Sequence, residues 1–401
     1  MGPMTPSAPP VNLVRPPLAV SVASFVSSFD RFAVSPMLVL IAVDLGVPLA
    51  AAVAVASGYY LAYGLTQPLW GVLSDRFGRV RVMRAALAGA ALAGLGSALM
   101  PGLAALVVAR VVTGACFGAV IPTGLTYVGD TVHVSVRQRA LTDLMGAAAL
   151  GTATATGLGG VLADLIDWRV AFTVPALCAL VCAITLRSLP EPRPAGVGAG
   201  GLGGHLRGVL GRGWALLVFA LAFTEGAIML GTLPFLATAL QHTGVAAALA
   251  GATITAYGVS LWALSKLVKR LSGRWPAPVL MTVGGAQLAA GFALVAAHVS
   301  TATVAVTALL LGGGWSFLHS SLQTWATSVA PEARGTAVAF FAASLFVGSA
   351  ASSWAAGPLA GDGRYALLFG LAAAAAVPLT AVAALTRRRY AAQEADVPRP
   401  E

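Results

Sequence analysis

Ionisable side chains lie deep inside long apolar runs of the sequence: Asp30 and Arg31 in the run from Leu18, Arg110 in the run from Leu103, Glu225 in the run from Trp214, and His319 in the run from Ala302. An ionised group at the centre of an apolar membrane span costs about 2.5 to 3.5 kcal/mol on insertion scales. Such groups persist where they pair, face water, or bind and release a proton. Asp30 and Arg31 are neighbours, about 100° apart around a helix axis, so each needs a partner on another segment. Asp30 is the expected proton-titrating group, because burial favours its neutral form and an approaching cation favours its ionised form. A permanent ion pair is the structural alternative. Arg110 is the candidate partner, although residue count places it nearer the far surface, so its side chain must reach inward. Glu225 stands at about the depth of Asp30 in the other half of the chain, so that two acids approach a shared centre and suit neutral or cationic molecules.

Other residues are candidates for contact with a small molecule. Arg31 is one. In WSFLHSSLQTW, Trp315 to Trp325, His319 and Gln323 are one helical turn apart and share a face with Trp315. Tyr59 and Tyr63, also one turn apart, are positioned to form an aromatic wall. Ordinary packing accounts for the tyrosines equally well. Cys116, Cys178 and Cys182 all fall in apolar runs, without metal-ligand spacing or a disulfide framework.

The elements that position these residues follow from composition. The 401 residues are 58% hydrophobic and 9% charged, with a mean hydropathy of +0.85. Repeated unbroken runs of about 20 apolar residues match the thickness of a bilayer core, and unbroken rather than alternating runs mean helices. The fold class is therefore all-α integral membrane. Twelve spans are drawn: Leu18 to Val43, Leu49 to Leu69, Val82 to Met100, Leu103 to Val128, Leu141 to Leu162 and Val170 to Leu186, then Trp214 to Leu240, Ala246 to Leu264, Ala277 to Ala297, Ala302 to Val329, Thr336 to Leu359 and Tyr365 to Leu385. The Pro/Gly-rich stretch Ser188 to Gly208 separates them six and six. The expected organisation is a tail 1–17, a six-helix bundle 18–187, a linker 188–213, a second bundle 214–386 and a tail 387–401.

Charge sets the orientation. With the N-terminus inside, 20 of the 24 Lys and Arg fall in inner loops and tails and only Arg169 and Arg364 in outer ones, which is the positive-inside pattern. Both termini are expected to be cytoplasmic, with no cleaved signal. The net charge of +10 is spread over short loops, so no basic face for nucleic acid forms. The halves also repeat at an offset of 198: Pro36 with Pro234, Gly46-Val47 with Gly244-Val245, Tyr59 with Tyr257, Arg76 with Arg274, Gly114 with Gly312.

Between the second and third runs stands GVLSDRFGRVRVMR, Gly71 to Arg84, read as a tight basic hairpin with one acid among its arginines. Its Gly71, Leu73, Asp75, Arg76, Gly78, Arg79 and Arg81 occupy every fixed position of G-x-L-x-D-R-x-G-R-x-R. This resembles the signature between spans 2 and 3 of the major facilitator superfamily. The resemblance covers essentially the whole chain, from FDRFAVSPMLVLIAVDLGVP in the first span to the eleventh. Arg110 and Gly114 are similar to the span-4 motif associated with proton coupling, with Thr113 where glutamine is common. Gly151, Gly159 and Gly160 resemble the span-5 antiporter motif, with Ala155 and Thr156 in place of its Gly-Pro pair. APEARGTA after span 10 resembles the twelve-span drug:proton antiporter branch, which includes sugar-efflux-like permeases.

The resemblance implies two pseudo-symmetric six-helix bundles that rock about a central site. It implies a secondary active transporter that moves small amphipathic molecules, such as drugs or metabolites, out of the cell against protons, without a cofactor and as a monomer in the plasma membrane. Uptake symport and dedicated metabolite or sugar export are the alternatives. Asp30, Arg110 and Glu225 are then the proton-coupling residues. Gly71, Asp75, Arg76, Gly78, Arg79, Arg81 and Asp130 form the gating latch that holds the outward-open state. A membrane-embedded enzyme lacks a polar catalytic cluster in this sequence, a non-transporting sensor has no need of Asp30, Arg110 and Asp75, and the nucleotide-binding G-x-x-x-x-G-K-[ST] is absent.

Overall fold

The computed structural model describes residues 15–192 and 208–396. Most of the expected N-terminal tail and most of the linker lie outside the described residues. Among the described residues, eleven helices are long and apolar enough to cross a membrane: Leu18–Asp44, Leu49–Phe77, Arg79–Leu99, Leu103–Thr131, Val134–Leu165, Trp168–Ser188, Ala247–Leu271, Ala277–Ala297, Thr301–Ser328, Arg334–Gly361 and Tyr365–Gln393. They are spans 1 to 6 and 8 to 12. Span 7 is made in two pieces, Gly213–Ile228 and Pro234–His242. Span 1 breaks at the corresponding place, where Pro36 sits in a short 3₁₀ turn, Ser35–Met37. Proline has no N–H to continue the helical ladder, so the repeated Pro36 and Pro234 interrupt the first helix of each half alike.

Several helices outrun their apolar runs. Span 2 continues from Leu69 to Phe77, span 3 begins at Arg79 rather than Val82, span 5 begins at Val134, and span 12 runs on to Gln393. Hydropathy marks where the chain leaves hydrocarbon, whereas a helix ends where its backbone is stopped. The basic hairpin expected at Gly71 to Arg84 is accordingly two helix ends joined at Gly78, whose φ of 104° is a left-handed value open to glycine. Gly71 has an ordinary helical backbone with open space around it, and neither a turn nor a close approach requires it.

The two halves meet along span 5 against span 8 and span 2 against span 11. Span 5 is a helix of small residues. Its Gly151 lies on the Phe25 carbonyl and its Gly159 on Ala33 of span 1, while a Cβ on Gly160 would stand 2.6 Å from the Ala247 carbonyl of span 8. Gly251 of span 8 in turn abuts the Thr156 carbonyl. On the other side, Gly64 rests on Phe346 at mid-span, and Gly357 lies against Ala50 at the end remote from the arginine clusters. Gln241 Nε2 also donates across the seam to the Pro36 carbonyl, 3.0 Å away. Among the described residues, extensive packing between the halves thus runs from the middle to this far end. The halves are packed together there.

That closure rests on backbone contact, so it is sensitive to one side chain. Gly251→Val puts branched carbons against the Thr156 carbonyl, and overpacking of this kind costs about 1–3 kcal/mol. The sealed arrangement should lose population by roughly five- to hundred-fold relative to the open one. A cysteine placed at Ala50, in a background free of Cys116, Cys178 and Cys182, should then react faster with an impermeant maleimide. An unchanged rate would mean that this seam does not close the far end.

Candidate functional site

Three charged constellations occupy the interior at mid-span. The first joins spans 1 and 4. Arg110 donates from Nη1 to Asp30 Oδ1 at 3.0 Å and from Nη2 to Oδ2 at 2.9 Å, and both side chains are 1% exposed. The guanidinium lies between the rings of Tyr59, 4.7 Å away, and Phe172, 4.4 Å away. It reaches Asp30 because span 4 presses on span 2: a Cβ on Gly114 would come within 2.6 Å of the Tyr59 carbonyl. The two parallel N–H···O bonds fix the guanidinium and the carboxyl plane to plane. The pairing expected only if Arg110 reached inward is present.

The second constellation lies in the other half. Glu225 of span 7 is fully buried, and its Oε2 is 3.0 Å from His319 Nδ1 of span 10. Its Oε1 is buried without a hydrogen-bond partner. The His319 ring stacks on Trp315 at 3.8 Å between centroids and tilts toward Phe341 at 5.5 Å. A π-helical turn, Trp315–His319, interrupts span 10 here and re-aims the histidine. Sequence reasoning places both residues near the centre but does not join them. One signal is available: within the drawn spans of the second half, Glu225 is the sole acid and His319 the sole histidine.

The third is Arg31, partly exposed at the seam. Its guanidinium carbon is 5.0 Å from the centre of the Tyr63 ring in its own half and 5.3 Å from that of Phe346 in the other. Its Nε is buried with no acceptor. Tyr63 and Phe346 are themselves in contact, 4.7 Å between centroids.

Several expected cavity residues are placed otherwise. Tyr59 and Tyr63 are each 1% exposed, so they form no open wall; Tyr59 covers Arg110 and Tyr63 packs across the seam. Asp30 and Glu225 do not face each other across open space, because each has found a partner within its own bundle. Trp315 is half-buried under His319, and Gln323, one turn further, is exposed and makes no hydrogen bond to the histidine ring among the described residues.

Residues 20–353 match the family profile described as Major Facilitator Superfamily. The chain belongs to this superfamily. It is a membrane transporter, and not an enzyme. Similar proteins include a triacylglyceride transporter of Mycolicibacterium smegmatis, 30% identical over 177 residues that make up 43% of this chain and 32% of that one. The efflux pump dotC of Dothistroma septosporum is 31% identical over 39% of this chain and 27% of its own length. The puromycin resistance protein pur8 of Streptomyces alboniger is 32% identical over 35% and 28%. The chain thus spans about a third of the length of the curated relatives it matches. Among solved structures, the nucleoside transporter NupG superposes with a TM-score of 0.74 over 93% of this chain and 99% of that one, at 14% identity. The D-xylose-proton symporter gives 0.72 over 92% and 96%, at 15%. At such identities the likeness speaks for the fold alone.

The superfamily signature is a helix-end cluster built within the first half. Arg79 donates from Nε to Asp130 Oδ2 at 3.1 Å, from Nη1 to Ser74 Oγ at 2.8 Å, and from Nη1 to Asp75. Glu191, which follows span 6, accepts from the backbone N–H of Val80 and of Arg81, each at 3.0 Å, and so caps the N-terminus of span 3. A Cβ on Gly78 would lie 2.7 Å from the Glu191 carboxyl carbon, so this glycine serves the close approach as well as the turn. Arg76 rests on the Phe77 ring at 5.4 Å. Arg81 contributes its backbone N–H rather than its charge. Glu191 escapes sequence reading because it belongs to a Pro/Gly-rich stretch that carries no periodicity. The cluster is intact while the halves are packed together at the far end.

Asp75 is half-exposed, and a partly exposed ion pair contributes about 0.2–1 kcal/mol. Asp75→Ala should therefore slow transport by no more than about five-fold, with unchanged amounts of protein in the membrane. Initial transport rates normalised to membrane content check this. Wild-type rates would show that the Asp75 link is unnecessary.

Proposed function

We propose that this transporter exports small amphipathic molecules in exchange for protons, as a monomer in the plasma membrane with both termini cytoplasmic. The observation that carries the reading is Glu225, fully buried, one oxygen on His319 and the other without a partner. A carboxylate in such a place holds a free acceptor for a proton, and a neutral acid there removes the cost of a buried charge. Arg110 holds both oxygens of Asp30, so coupling through that pair requires it to part as the bundles rock. Close packing of the halves at the end remote from the arginine clusters supports a carrier that opens on its basic, cytoplasmic side. The relatives named as an efflux pump and a resistance protein support the outward direction.

The energy suffices. One charge falling through 100 mV releases about 2.3 kcal/mol, which supports a roughly fifty-fold gradient. Inverted vesicles with an acidic lumen and a panel of amphipathic compounds test the reading. Cargo should accumulate only while the pH gradient lasts and should dissipate it. Accumulation indifferent to the gradient would remove proton coupling. A second reading, uptake with protons, is favoured by Arg31: a proton on Glu225 leaves Arg31 as the uncompensated charge, so that an anion and a proton load together. Accumulation confined to right-side-out vesicles, with protons entering alongside cargo, would select it.

A further inference from the structure

We infer that Arg31 is the recognition point for an organic anion, a carboxylate, sulfonate or phosphate ester carried on a flat apolar body. The inference rests on the reading of the seam between the bundles as the cargo path, though not on the direction of transport.

Charge accounting leads to it. Two acids at one depth suit a neutral or cationic cargo only while they face it. Here Asp30 is bound on both oxygens by Arg110, and Glu225 is turned onto His319. Arg31 is left with no acidic partner among the described residues and is partly exposed at the seam. Its ring neighbours do not meet its needs. Tyr63 and Phe346 lie 5.0 and 5.3 Å from the guanidinium carbon, and π faces attract the cation without accepting in-plane hydrogen bonds. Nε is buried and orphaned, and the guanidinium makes no hydrogen bond to any described residue. A planar fork of unused donors matches a bidentate anion. With Phe32, 4.8 Å away, these rings set aromatic surface from both bundles beside the charge.

The test uses the full-length protein in lipid nanodiscs and two probes of one shape, radiolabelled 2-naphthoate and 2-naphthylmethylammonium, in equilibrium dialysis. Wild type should bind the naphthoate saturably and at least ten-fold more tightly than the ammonium. Arg31→Gln should weaken naphthoate binding ten-fold or more, whereas Arg31→Lys, which keeps the charge without the fork, should retain part of it. Size-exclusion profiles report folding, and if Arg31→Gln does not fold, the wild-type preference and the Arg31→Lys value decide. Equal or tighter binding of the ammonium, wild-type naphthoate binding by Arg31→Gln, or saturable binding of neither probe overturns the inference. Failure of gradient-driven transport with the naphthoate preference intact rejects the coupling reading and leaves Arg31 in place. Coupled transport without the preference does the reverse.

Discussion

Glu225→Gln should erase the roughly fifty-fold accumulation that one charge moved through 100 mV can sustain, leaving cargo merely to equilibrate across the membrane. Glutamine keeps the shape and can still meet His319 Nδ1, but it cannot ionise. The 3.0 Å contact and the burial of Glu225 therefore survive in outline while the proton site does not. Cargo binding in the absence of a gradient should remain measurable, which separates lost coupling from lost folding. Counterflow exchange, which needs no net proton movement, should continue as well. Accumulation at the wild-type level in this variant would take Glu225 out of the coupling path.

The second large effect concerns stability. Removing one member of a buried ion pair leaves the other charge stranded, at about 3–5 kcal/mol. Asp30→Asn alone and Arg110→Gln alone should each lower the unfolding temperature in detergent sharply, because both side chains are 1% exposed and joined by two hydrogen bonds. The double variant carries no buried charge at this place and should recover most of the loss. Unfolding followed by the reactivity of buried Cys182 measures all three. If coupling also requires the pair to part, the double variant is stable yet unable to use the gradient. Single variants as stable as wild type would mean that the two groups are not held as an ion pair.

Much of this arrangement is legible in the sequence. Bilayer thickness converts apolar runs into spans with few alternatives, and Pro36 and Pro234, one repeat apart, mark the break that the first helix of each half makes. The signature residues Asp75, Gly78 and Arg79 are local, and they form the cluster their spacing implies. What escapes is decided by tertiary contact. Phe77 lies outside the apolar run, yet the helix continues to it because only Gly78 and the Glu191 cap stop the backbone. Glu225 and His319 are 94 residues apart in sequence. A one-turn rule groups His319 with Gln323, but His319 meets Glu225 while Gln323 is exposed on the helix Ser320–Ser328, a difference set by the neighbouring span. Tyr59 and Tyr63 are equally consistent with packing and with a cavity wall, since burial within a bundle and exposure to its interior leave the same periodicity.

The most direct test of proton carriage by Glu225 is an infrared pH titration of the reconstituted transporter. A protonated-carboxyl band that fades as the pH rises in wild type, persists in Asp75→Ala and is missing in Glu225→Gln is the predicted result. The same band in Glu225→Gln, or no titrating buried carboxyl in wild type, would contradict it.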